Sequence, residues 1–425
     1  MAAGSTHRRG WIVTLLLFFF MYINFADKAV IGLAAVPMMR DLGLSPEQWG
    51  LVGSSFFYLF PFAALGVGFV VDRVAARWAL LLMGLIWALT QFPMLGALSF
   101  AALIACRIVL GAGEGPAYPV ALHAVYKWFP DHERPLPTSL LAIGSAVGVF
   151  TAAPLLVWII SAKSWHAAFG LLGVLGLVWA AAWAIWGAEG PLSGAEKGAA
   201  GAAAERIPYR TLLKSRTVIG VLITGMAVYW SLALLVTWVP AFLQQGLGYG
   251  IAPATFVVTL AWGAIAIVMP LVAWISQAAH RNGASSRDAR GLPTGLLAIA
   301  SGTMSMTALL LRPGPLQIAL LALGYSLGGA IFTLGPAMIG EITPAAQRGA
   351  LLGIVSAVQT AAGMIAPSVT GHIIATGATL RAGYHSAFML AGAILAIGGI
   401  AGMVLLRPEE DAPRRAPTPD AAQLH

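Results

Sequence analysis

The sequence predicts an all-α membrane protein of twelve spanning helices, arranged as two pseudo-symmetric bundles of six. Three observations carry that expectation. Of 425 residues, 59% are hydrophobic and only 9% charged, whereas a soluble domain has roughly 25% charged residues. Apolar stretches of the length a helix needs to cross a bilayer, about 20 residues, recur along the whole chain. A long motif in the first half also has a counterpart in the second.

The first stretch is 11–33. Its opening, "HRRGWIVTLLLFFFMYINF", has the basic start and apolar run of a signal peptide. No small-residue cleavage site closes the run, which continues past Asn24 and Asp27 toward Pro37, so it reads as a retained helix. The next five stretches are 49–71, 78–98, 100–127, 136–160 and 165–188. The segment "AEGPLSGAEKGAAGAAAERIPYRTLLKSR" then interrupts the pattern. Rich in Ala, Gly and charge and lacking a sustained helical stripe, it reads as an exposed linker. Apolar stretches resume at 217–240, 253–277, 292–311, 316–341, 348–375 and 384–406. The organisation expected is therefore a first bundle over 1–188, a cytoplasmic linker over 189–216, a second bundle over 217–406 and a tail over 407–425.

The repeated motif is "PDHERPLPTSLLAIGSAVGVFTAAPLL" from Pro130 and "PAAQRGALLGIVSAVQTAAGMIAPSV" from Pro344. Arg134 matches Arg348, and Pro154 follows by twenty residues where Pro367 follows by nineteen. Repetition of this kind implies two bundles related by pseudo-symmetry, with a binding site where they meet near the bilayer midplane.

Orientation follows from the cations. Eighteen of the 24 Lys and Arg residues fall in the loops and ends on the N-terminal side, and four (Arg40, Lys163, Arg312 and Arg381) on the other. The positive-inside rule then places both termini in the cytoplasm of an inner (plasma) membrane protein. The same asymmetry accounts for the net charge of +8 without a nucleic-acid partner. The single cysteine, Cys106, excludes an intrachain disulfide and a thiolate metal site. No HExxH and no histidines at i, i+4 are present, so neither a metal nor a membrane-embedded enzyme is expected.

The two remaining cations, Lys28 and Arg107, lie inside helices, as do Asp27 and Glu114. In "RIVLGAGEGPAYP" (107–119) Arg107 and Glu114 are seven residues apart, about 10 Å along a helix and only ~20° around it, so both face one way. A charge at such depth costs at least ~2.5–3.5 kcal/mol on insertion scales and normally faces a wet cavity or a partner. Gly111, Gly113 and Gly115 let a neighbouring helix come close, while Pro116 and Pro119 interrupt backbone hydrogen bonds. Asp27 and Arg107 fall at comparable depth, so Asp27, Lys28 and Arg107 are expected to share one cavity with Glu114 nearer the midplane. The alternative is two static ion pairs that hold helices together.

The loop "GVGFVVDRVAARW" after helix two, with Asp72, Arg73 and Arg77, is similar to the loop signature of the major facilitator superfamily. After helix eight, Gln277 stands where that signature expects an aspartate, so half of the network is weakened or rebuilt. "NFADKAVIGLA", "RIVLGAGEGPAYP" followed by "KWFPDHERPLPTS", "TWVPAFL" and "GMIAPSVTGHI" resemble the anion:cation symporter family within it, over about 24–406. That family includes permeases of D-galactonate and other sugar acids, phthalate-type carboxylate permeases, sialin and vesicular glutamate transporters.

The resemblance implies a proton-coupled importer of a small organic anion such as a sugar acid or an aromatic acid. It is expected to be monomeric and to need no cofactor besides protons. Arg107 would bind the carboxylate and Lys28 support it. Asp27 and Glu114 would carry protons, with Asp27 alternatively the Arg107 partner that substrate displaces. Asp72, Arg73, Arg77 and Arg134 would form the gate.

Bacterial members usually have arginine where this chain has Lys28, and a lysine lacks the planar fork for bidentate carboxylate recognition. Ser356 and Thr360, with Gln359 between them, replace asparagines of the sugar-acid permeases in helix eleven. Ser145 replaces a glutamine in helix five, and Tyr58 and Phe60 form the aromatic pair of helix two. Tyr118 and Trp238 complete the candidate contacts. Fewer amides mean fewer partners for hydroxyls, so a less hydroxylated anion is expected. Efflux or exchange by the same fold, and a non-transporting receptor, are the competing classes.

Overall fold

The computed structural model describes residues 2–70, 74–130, 133–192 and 207–411. Within them twelve helices are long and apolar enough to cross a membrane: His7–Leu33, Pro46–Gly66, Ala76–Leu95, Phe100–Tyr126, Leu136–Ala162, Trp165–Trp186, Arg216–Thr237, Ile251–Arg281, Arg287–Leu310, Pro315–Ile342, Gln347–Thr376 and Leu380–Leu405. They are numbered one to twelve here, and they match the expected stretches to within a few residues at most ends. No strand occurs among the described residues.

Helix starts follow local chemistry. Ser99, Ser164, Ser215 and Thr379 each accept a hydrogen bond from the backbone N–H three residues on, capping helices four, six, seven and twelve. Ser45 and Gln48 form a reciprocal capping box at the start of helix two.

Several helices are interrupted, helix ten by a 3-10 turn over Leu327–Gly329, and the breaks of helices two and four adjoin the buried charges. Helix two stops at Ser55 and resumes at Phe60. Helix four stops at Glu114 and resumes at Ala117, because neither Pro116 nor Pro119 has an amide to donate. Helix eleven is divided at Ala361. Helix seven runs on beyond Thr237 through Val239–Ala241 into a π turn over Phe242–Gly246. The linker departs from a purely irregular reading, since Tyr209–Leu213 forms a short helix. Leu212 is buried, and Gln347 exchanges hydrogen bonds with both backbone groups of Ile207, at 2.8 and 2.7 Å. Five residues are too few to show a helical stripe, so tertiary contacts set this element.

In lipid the helices gain little from burying apolar surface against each other and depend on close packing and polar contacts. Glycines supply that closeness. Gly144 and Gly148 of helix five lie against the carbonyls of Phe18 and Tyr22 in helix one, and Gly295 and Gly302 of helix nine against helix twelve.

The two halves meet in the same way. Gly32 faces the Val236 carbonyl, and Gly50 and Gly371 bring helix two onto helix eleven. The Trp49 indole donates to Thr237 O at 3.3 Å, Ser368 Oγ sits 2.8 Å from Ser54 Oγ, and His372 Nδ1 lies 2.9 Å from Glu47 Oε1. All of these contacts lie toward the end of the bundle opposite the two termini, so the halves are zipped together there.

Gly111 packs against the unwound part of helix two, where a β-carbon would run into the Phe56 carbonyl oxygen. Overpacking of this kind costs about 1–3 kcal/mol. Gly111→Val should therefore lower the thermal unfolding midpoint in detergent by several degrees. Gly66→Ala, at a helical position with open space around it, should leave the midpoint unchanged or raise it slightly.

Candidate functional site

The breaks of helices two and four adjoin the charged residues. Arg107 and Glu114 are each 2% exposed and Asp27 is 1% exposed, all inside the first bundle. Lys28 reaches from helix one to helix four, with its Nζ 2.6 Å from Glu114 Oε2, and it also donates to Asn24 Oδ1 one turn earlier. Arg107 has no such partner. Among the described residues it forms no ion pair within 4.0 Å and no hydrogen bond, and its Nε is buried without an acceptor. What it does have is the face of Phe56, 4.6 Å from Cζ to the ring centroid, a contact of about 2 kcal/mol when desolvated.

Of the two static pairs considered from the sequence, one exists, Lys28 with Glu114. Arg107 is not bonded to Asp27, whose Oδ1 is likewise buried and unpartnered. Gln91 of helix three adjoins Asp27. The Nε2 of Gln91 and the Nδ2 of Asn24 are two further buried donors without acceptors. Buried polar atoms are normally bonded, and this set holds both donors (Arg107, Gln91, Asn24) and acceptors (Asp27, Glu114), so it suits a group that brings oxygen atoms together with protons.

Around the charges stands a chain of aromatic rings. Lys28 Nζ lies 4.8 Å from the Phe25 ring and 5.9 Å from that of Phe60. Phe56 is 5.5 Å from Phe60 and 4.9 Å from Phe57. Across the interface Phe57 meets Tyr229 of helix seven at 5.8 Å, Tyr229 meets Phe332 of helix ten at 6.2 Å, and Phe25 meets Trp262 of helix eight at 5.8 Å. Tyr229 is near enough to feel the charge of Glu114. Both halves therefore contribute to the surroundings of the buried charges.

Sequence reasoning missed most of these rings and both unpartnered amides. Asn24 and Phe25 stand inside the quoted "NFADK", and Phe56 and Phe57 inside the run "FFYLF" that breaks helix two. Tyr229, Trp262 and Phe332 have no local signal, since only packing of the halves brings them in.

Among the described residues, the other candidates make no hydrogen bond, ion pair or ring contact with the buried charges. Tyr58 is half-buried, and Ser356 and Tyr118 are exposed. Ser145 Oγ donates to Leu141 O at 3.4 Å within its own helix. Gln359 is buried and donates to Val221 O at 3.0 Å, fastening helix eleven to helix seven. Trp238 is fully buried, its indole donating to Pro367 O at 3.0 Å. Asp72 and Arg73 lie outside the described residues.

Arg77 is held by Glu189, whose Oε1 accepts its backbone N–H at 2.8 Å while Oε2 lies 2.8 Å from Lys127 Nζ. Arg134 donates to Phe129 O and Tyr126 O and stacks on the Tyr126 ring at 4.6 Å. In the second half an ion pair of Arg290 with Glu341, and a bond from Arg287 N to Glu409 Oε1 at 2.9 Å, occupy the equivalent turn.

The family model of the Major Facilitator Superfamily matches residues 14–324 and 286–424. The chain is 27% identical over 420 residues to the hexuronate transporter of Bacillus subtilis, covering 93% of this chain and 94% of that one. It is 25% identical over 424 residues to the D-galactonate transporter of Escherichia coli, covering 95% and 97%. Its fold is similar to that of a bacterial homologue of the human lysosomal transporter Spinster in an inward-facing, unoccupied conformation. That likeness has a TM-score of 0.80 at 17% identity, covering 96% of this chain and 99% of that one.

Removing one partner of a buried ion pair strands the other charge at a cost of about 3–5 kcal/mol. Lys28→Ala should accordingly destabilise the protein strongly in thermal unfolding, and Lys28→Ala/Glu114→Gln should recover much of the loss. Simple additivity of the two changes would mean that the residues are not coupled.

Proposed function

The chain belongs to the Major Facilitator Superfamily, and from that premise we propose that it imports a small organic anion together with protons across the bacterial inner membrane. On this reading it works as a monomer, by alternating access, with both termini in the cytoplasm. The observation that carries the reading is Arg107, a buried cation that makes no ion pair within 4.0 Å, beside the ion pair of Lys28 with Glu114. Relatives that carry hexuronate and D-galactonate support an anionic substrate.

Desolvating a guanidinium costs several kcal/mol, and only a well-placed anion offsets it. A substrate carboxylate at Arg107 supplies that anion. A proton on Glu114 dissolves its attraction for Lys28, which is then free to turn its ammonium toward the substrate. Anion and proton therefore each make the other's binding more favourable, and the coupling is reciprocal. Asp27, one residue from Lys28, is the second candidate proton site.

With the termini in the cytoplasm, the zipped face of the bundle is the outer one and release is inward. Return to the outside requires the contacts of Ser54 with Ser368 and of Glu47 with His372 to part. Two six-helix bodies that rock about a central site meet this requirement without unfolding either one.

Two variants in proteoliposomes test the reading. Arg107→Gln leaves the anion unpaired, at a cost on the order of 2–5 kcal/mol, and should abolish substrate binding while the protein still folds. Glu114→Gln imitates the protonated state. It should bind and exchange substrate in counterflow yet fail to accumulate it under an imposed pH gradient. Full pH-driven accumulation by Glu114→Gln would move the coupling role to Asp27, and unchanged affinity in Arg107→Gln would remove that residue from the site.

A further inference from the structure

We infer that the anion is an aromatic monocarboxylate, of the benzoate type, rather than a polyhydroxylated sugar acid; the inference rests on the transport reading above and names the substrate of the same site. Three observations carry it. First, both cations, Arg107 buried and Lys28 partly buried, are framed by ring faces: Phe56 lies 4.6 Å from Arg107 Cζ, and Phe25 and Phe60 lie 4.8 and 5.9 Å from Lys28 Nζ. The rings continue across the interface in edge-to-face contacts, Phe25 on Trp262 at 89° and Phe57 on Tyr229 at 84°. A flat aromatic body inserted among them extends the arrangement that such rings prefer, with centroids ~4.5–7 Å apart.

Second, polar side chains of helices five, seven and eleven bond within the protein, and the free amides beside the charges, Asn24 and Gln91, are two against the five hydroxyls of a hexonate. Ser145 donates to Leu141 O, Gln359 to Val221 O, Thr360 to Ala357 O and Thr237 to Ala233 O. A sugar also lays its C–H face on aromatic rings, but each hydroxyl it brings loses water on entry and needs a new partner. A hexonate brings five such groups to a wall of phenylalanines. Third, among the described residues of the cluster Arg107 is the cation without an ion pair, Lys28 being bound to Glu114. One unpaired cation matches one carboxylate.

The test uses the purified full-length protein and direct binding of radiolabelled 4-hydroxybenzoate, with benzoate, D-galactonate and D-glucuronate as competitors. Benzoate should compete, and both sugar acids should compete at least tenfold less well. Phe25→Leu keeps the apolar volume but loses the ring face, and should weaken 4-hydroxybenzoate binding roughly three- to tenfold. Phe25→Tyr should retain wild-type affinity, which separates loss of the ring from misfolding. Tighter competition by the sugar acids, or unchanged affinity in Phe25→Leu, overturns the inference. If D-galactonate binds and the binding disappears in Arg107→Gln, the aromatic class falls while the transport reading stands. If no anion in the panel binds in an Arg107-dependent way, both fall.

Discussion

A guanidinium enclosed at 2% exposure and bonded to no anion within 4.0 Å is the condition to which the rest of this fold is fitted. Nothing in a hydrocarbon layer stabilises such a charge, so the protein itself has to. It does so in part with the face of Phe56. That ring can sit there only because helix two is unwound between Ser55 and Phe60. The unwound segment in turn fits only because Gly111 and Gly115 leave room for the carbonyls of Phe56 and Phe60. The charge, the broken helix and the glycines of helix four are therefore one structural unit. Altering any one of them disturbs the other two.

The same logic separates the two carboxylates. Glu114 has a cation at 2.6 Å, so its charge is compensated by a residue that can leave. Asp27 has an unpartnered oxygen and lies beside the amide of Gln91, so it depends on a neutral group and on the more distant field of Lys28 and Arg107. One carboxylate is held in a pair that a single proton can open. The other has no such direct pair to open.

Much of this was legible in the sequence, and the reasons are physical. Hydrophobic length announces a spanning helix, because lipid permits few alternatives. A charge within such a length announces a site for the same reason. Arg107, Glu114, Asp27 and Lys28 were found by that argument alone. The pairing was not, because which cation takes which carboxylate depends on how helices one and four are rotated against each other, and both pairings suit the helical spacing. Polar residues of helices five and eleven were harder still. Gln359 has the chemistry of a ligand contact, yet it is spent on the Val221 carbonyl, with Gly225 leaving room for its amide. Tyr229 and Trp262 sit in apolar runs that hold many aromatics, and only the meeting of the two halves distinguishes them.

On the proposed reading, one side-chain choice at Lys28 reaches from local packing to coupling. An arginine at this position would present a rigid fork able to grip Glu114 with two parallel bonds. A lysine presents a compact point charge on a flexible stem. That ammonium fits between the rings of Phe25 and Phe60 while touching Glu114 and Asn24. A pair made through one nitrogen has less geometry to lose when the carboxylate is protonated. The freed ammonium also keeps Asn24 and the ring faces as resting contacts, so it is never left bare in a dry interior. The lysine thus lowers the barrier to opening the pair at the expense of directional strength toward a carboxylate. On the proposed reading Arg107, which keeps the fork and makes no ion pair, supplies that strength.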